Sequence, residues 1–150
     1  MAAQLPKVLI VDQDPEMLRQ HTRWLEAAGF EVRQAGNGDQ AQDAIEAECP
    51  DFLITDWDLA GATGLELVQW VRENHLPHYI YTLFLTTHGD SRDMVQALES
   101  GADDYMRKPA SREELLARLQ SGARVLESVY TVPIARIVRD DRLGFLQTDQ

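Results

Sequence analysis

The chain has a single cysteine, Cys49, in 150 residues, which excludes an internal disulfide and a cysteine-held metal cluster. Cationic residues are also scarce. Lys and Arg number 14 against 25 Asp and Glu, giving a net charge of −11 and a pI near 4.6. That balance opposes attraction to nucleic acid or to an anionic membrane surface, so neither is expected as a direct partner. No apolar run approaches the length of a membrane span. The N-terminal "MAAQLPK" passes straight into a strand-like run without a signal-peptide core, and the expected location is the cytoplasm. Repeats, low-complexity segments and Gly/Ser linkers are missing before residue 130.

What remains is 44% hydrophobic and 26% charged, an ordinary globular composition. A chain of this size buries roughly two-thirds of the surface its unfolded form exposes, enough for one core. Strand-like runs fall at Lys7–Val11, Phe52–Thr55 and Thr82–Thr86, with shorter ones at Glu31–Gln34 and Asp103–Met106. Helical patterns lie between them. The first starts at Pro15 behind an Asp14 N-cap and stops at Gly29; the second fits Asp39–Ala47 and the third Leu65–Asn74. The fourth follows Gly89, capped by Asp90 or Ser91, and ends at Gly101. The last starts at Ser111, where "SREE" spaces Glu114 for a capping box, and runs to about Tyr130. Its residues Leu116, Leu119, Ala123 and Leu126 form an apolar stripe, available for the sheet or for a second copy. Five alternations of strand and helix predict a doubly wound α/β domain with a parallel sheet covered on both faces. The expected domain is 5–128, with 129–150 an extension, linker or short hairpin broken by Pro133.

In such sheets ligands bind beyond the carboxyl ends of the strands. The residues there are Asp12, Gln13 and Asp14 after the first strand, Asp56, Trp57 and Asp58 after the third, Thr86 and Thr87 at the fourth, and Lys108–Pro109 after the fifth. Carboxylates, a hydroxyl and an ammonium converging at one sheet end outline a phosphoryl-transfer site. Carboxylate oxygens suit magnesium, and a carboxylate can itself accept a phosphoryl group while cations neutralise the phosphoryl oxygens. His88 lies in a loop near this site. The spacing of the four histidines and Cys49 matches no metal motif.

The stretches "LIVDQDP", "LITDWDLAGATGLEL", "LFLTT" and "GADDYMRKP", in this order and spacing, resemble the receiver domains of two-component response regulators. The resemblance covers Val8 to about Val125. It implies the flavodoxin-like strand order 2-1-3-4-5, with Asp56 as phospho-acceptor and magnesium held by Asp12, Asp56, residue 13 and the backbone carbonyl of Asp58. It further implies Thr86 and Tyr105 as switch residues, Lys108 as the phosphate-contacting lysine and a cis Lys108–Pro109 bond. The implied partners are a sensor histidine kinase or phosphotransfer protein, a downstream output domain or protein, and a second copy through the fourth helix, last strand and last helix. The domain would accept a phosphoryl group without turning over an external substrate.

Gln13 departs from the pattern, standing where the family usually carries a second acid that contacts magnesium. A unit-charge pair at ~4 Å and an effective dielectric of ~20 is worth about 4 kcal/mol before desolvation, so losing one charge weakens magnesium by about tenfold or more. This opens an alternative, a pseudo-receiver that binds proteins without magnesium-dependent phosphorylation. A phosphohydrolase of the haloacid dehalogenase type is the third reading. That family resembles D-x-D on the first strand, whereas "DWD" here follows the third.

Overall fold

The computed structural model describes residues 5–129; of the expected 129–150 extension, all but Val129 lies outside them. Five strands and five helices alternate: β1 (Lys7–Val11), α1 (Pro15–Ala27), β2 (Glu31–Ala35), α2 (Gly38–Ala47), β3 (Phe52–Thr55), α3 (Gly64–Glu73), β4 (Tyr81–Thr86), α4 (Ser91–Glu99), β5 (Asp104–Arg107) and α5 (Arg112–Val129). The strands form one parallel sheet in the order 2-1-3-4-5.

Alternation along each strand builds two apolar layers. Val8 and Ile10 of β1, Phe52 and Ile54 of β3, and Leu83 and Leu85 of β4 pack with Leu25 of α1 and with Leu115, Leu116 and Leu119 of α5. Leu9, Val11 and Leu53 point the other way, against Ala41 and Ile45 of α2 and Leu67 and Val71 of α3. Helices therefore cover both faces. The stripe Leu116, Leu119, Ala123 and Leu126 is at most 1% exposed. It is used up against the sheet and leaves α5 no free apolar seam there for a second copy.

Local chemistry starts the helices where the sequence predicts, within a residue or two. Asp14 accepts from the Glu16 amide at 2.9 Å, and Pro15 opens α1. Asp90, not Ser91, caps α4. The expected capping box at α5 is half formed: Ser111 accepts from the Glu114 amide at 3.0 Å, while the Glu114 carboxylate lies 3.6 Å from Arg118. A complete box occurs instead at α3, where Thr63 accepts from the Glu66 amide and Glu66 accepts from the Thr63 amide. Among the described residues no helix is long and apolar enough to cross a membrane.

Candidate functional site

Parallel strands in register bring their carboxyl ends to one edge. Val11 lies beside Thr55, Thr55 beside Phe84 and Thr86 beside Arg107, so the residues that follow them gather. The Asp56 amide donates to the Val11 carbonyl at 3.0 Å and the Lys108 amide to the Thr86 carbonyl at 2.8 Å, carrying the sheet pattern one residue beyond each strand. Asp12 and Asp56 thus emerge side by side, 3% and 9% exposed. The Lys108 ammonium bridges them, 2.5 Å from Asp12 Oδ2 and 2.8 Å from Asp56 Oδ2. Burial lowers the lysine pKa, but the two carboxylates outweigh burial and raise it above its ordinary value. The Lys108–Pro109 bond is cis.

The remaining carboxylate oxygens are also occupied. Asp12 Oδ1 accepts from the Asp14 amide at 2.9 Å, and Asp56 Oδ1 from the Trp57 amide at 2.6 Å. Gly64 lets α3 pass close behind this turn: a Cβ there would lie 2.2 Å from the Asp56 carbonyl oxygen and 2.8 Å from Trp57 Cα.

Thr86 and Tyr105 meet through His88. The His88 amide donates to Thr86 Oγ1 at 3.3 Å, and the Tyr105 hydroxyl donates to the His88 carbonyl. Burial and then the Asp93 carboxylate raise the Tyr105 pKa, with smaller contributions of the same sign from Asp56 and Asp90. Tyr105 and Lys108 also line a cavity of about 510 Å³ whose wall includes Met94, Arg107 and Arg118. That cavity shares Tyr105 and Lys108 with the site.

Neither the Gln13 side chain nor the Asp58 carboxylate joins the carboxylate–lysine group. Gln13 is exposed, and its amide shares no hydrogen bond with the Asp12–Lys108–Asp56 group. The Asp58 carboxylate turns to His88, with Oδ2 3.0 Å from Nε2. Asp14 is committed to capping α1, so it does not supply the missing acid. Among the described residues no three His, Cys, Asp or Glu side chains gather to hold a metal. The donors that do gather at the strand ends are oxygens, two of them carboxylates that already share a cation, and this chemistry fits magnesium at reduced charge.

His88 is the residue that the sequence underweights. Its ring stacks on Trp57 with centroids 4.6 Å apart and planes 7° apart, and Nδ1 lies 3.2 Å from Asp93 Oδ2. Burial lowers its pKa, but Asp58 and Asp93 outweigh burial and raise it. No spacing rule connects residues 58, 88 and 93; only the fold does.

A family profile of the response regulator receiver domain matches residues 8–120. The phosphate regulon transcriptional regulatory protein PhoB of Rhizobium meliloti is 40% identical over 118 residues, covering 78% of this chain and 52% of that protein. The transcriptional regulatory protein TrcR of Mycobacterium tuberculosis is 41% identical over 114 residues, covering 76% and 44%. The chain thus spans about half the length of the curated relatives it matches. Among solved structures, the CheY-like response regulator receiver domain protein from Methanospirillum hungatei superposes with a TM-score of 0.79 at 27% identity, over 85% of this chain and all of that one. Fold, strand-end residues and kinship agree, and the chain belongs to the response regulator receiver domain family.

Proposed function

We propose that Asp56 accepts a phosphoryl group from a histidine kinase or phosphotransfer protein and that the resulting change at Thr86 and Tyr105 alters a partner-binding surface. The observation that supports this most is the Lys108 ammonium shared by two buried carboxylates at adjacent strand ends. In the transfer, an Asp56 carboxylate oxygen bonds to phosphorus as the bond to the donor nitrogen breaks, giving an acyl phosphate. Asp12, Asp56, the Gln13 amide oxygen and the Asp58 backbone carbonyl would hold magnesium, which when bound would supply positive charge toward the phosphoryl oxygens. Lys108 supplies a second positive charge to those oxygens. Thr86 uses its oxygen to accept from the His88 amide, which leaves its own proton available for a phosphoryl oxygen. Tyr105 carries any loop shift to the cavity beside Met94 and Arg118. The output domain or partner, as well as self-association through α4, β5 and α5, belongs to this same reading.

Incubation with acetyl phosphate and magnesium is expected to add the mass of one phosphoryl group, and Asp56→Ala is expected to abolish the addition. Absence of the adduct at saturating magnesium would favour the pseudo-receiver, the reading that the amide at Gln13 supports.

A further inference from the structure

We propose that His88 is a positioning residue that ties the acceptor loop to helix α4 by a route separate from the Thr86–Tyr105 pair. Its Nε2 lies 3.0 Å from Asp58 Oδ2, two residues beyond the acceptor. Its Nδ1 lies 3.2 Å from Asp93 Oδ2, in the first turn of α4. Both ring nitrogens face carboxylates, an arrangement suited to the imidazolium, in which both nitrogens donate. Stacking on Trp57, whose amide binds Asp56 Oδ1, fixes the plane of the ring. A displacement of the loop 57–58 therefore acts on two carboxylate contacts across one rigid ring, and the far contact is on α4. The same helix presents Met94, Val95 and Leu98 to solvent. The backbone route is different: it runs from Thr86 through the His88 amide and carbonyl to Tyr105. Side-chain substitution at position 88 removes the first route and keeps the second. Coupling requires an element that both sites bias, and that part is assigned to the bridged imidazole.

The inference rests on the phosphoryl-acceptor reading for its biological use, and its test does not. Amide NMR shifts of Asp93, Met94, Val95 and Leu98 are followed in the full chain through a double-mutant cycle. Asp58→Ala is expected to displace these signals when His88 is present. In a His88→Phe background the displacement is expected to fall by about half or more, because phenylalanine keeps the ring against Trp57 and lacks both nitrogens. Equal displacement in the two backgrounds, or none with His88 present, overturns the assignment. If His88→Phe fails to fold, His88→Gln serves; its single amide reaches one carboxylate at a time, and the same criterion applies. In a second arm, acetyl phosphate and magnesium are added to both chains and the adduct is counted by mass. An adduct in both with a smaller α4 response in His88→Phe supports the role, and identical α4 responses defeat it. No adduct in either chain counts against the phosphoryl-acceptor reading alone, and the cycle then decides the role of His88.

Discussion

At the scale of single residues, Gln13 and His21 show how one side chain alters a site or a stability profile. Gln13 removes a charge from a place where Asp12 and Asp56 already face one ammonium, and Asp14 is held at the start of α1. Gln13→Asp is therefore expected to tighten magnesium by about tenfold or more. Titration followed by fluorescence, with Trp57 beside Asp56 as reporter, measures this; an unchanged affinity would mean that another oxygen already fills the role. His21 is 2% exposed, stacks edge-on against Trp24 with centroids 5.2 Å apart, and leaves Nδ1 buried without a partner. Burial lowers its pKa, Lys108 lowers it further, and Asp12 opposes them. The unfolded chain binds a proton at this histidine near pH ~6.5 while the folded chain resists it. Its effect on stability is absent above that pH and grows as pH falls toward the lowered folded value. His21→Phe should flatten the loss of stability as pH falls below about 6.5. Urea unfolding of both chains at several pH values gives the difference directly, and parallel profiles would exclude His21 as the cause.

At the scale of elements, Gly64 decides how closely α3 approaches the acceptor turn. A Cβ at 2.2 Å from the Asp56 carbonyl oxygen cannot be accommodated without moving backbone. Gly64→Ala is expected to displace the β3–α3 turn and slow phosphoryl uptake by roughly tenfold or more, since small misplacements of reacting groups cost that much. The rate of adduct formation with acetyl phosphate checks it, and an unchanged rate would mean that the turn is more compliant than its contacts suggest. The elements themselves were legible because their signals are local. Pro15 and Gly29 bracket α1, and the runs at 7–11 and 52–55 are strands to the residue. The grouping of Asp12, Asp56 and Lys108 followed from strand ends alone, once alternation implied a parallel sheet. Other contacts left no trace in spacing. Arg72 donates to the carbonyls of Ile80 and Gly101 and to Asp103 Oδ2, each at 2.9 Å, and Tyr79 donates to the same aspartate. These partners lie up to 31 residues apart, and only tertiary packing selects them. The same holds for His88, whose carboxylate partners come from the loop after β3 and from the first turn of α4.

At the scale of the whole molecule, charge and the α4 surface set opposing terms for self-association. Each copy carries a net charge of −11, and an acyl phosphate adds to it, so two copies repel over distances comparable with the Debye length. Met94, Val95 and Leu98 expose 39%, 49% and 41% of their surface along one helix, and covering them is favourable at any ionic strength. Association through this face should therefore strengthen with salt, from weak near ~0.05 M to clear near ~0.5 M, as the Debye length shortens several-fold. A face held mainly by ion pairs between copies would respond in the opposite direction. Light scattering of the acetyl phosphate-treated chain across that range separates the two. Leu98→Glu, which places a like charge within the apolar face, should hold the chain monomeric throughout. Dimers that persist in Leu98→Glu, or that dissociate as salt rises, would move the contact to another surface.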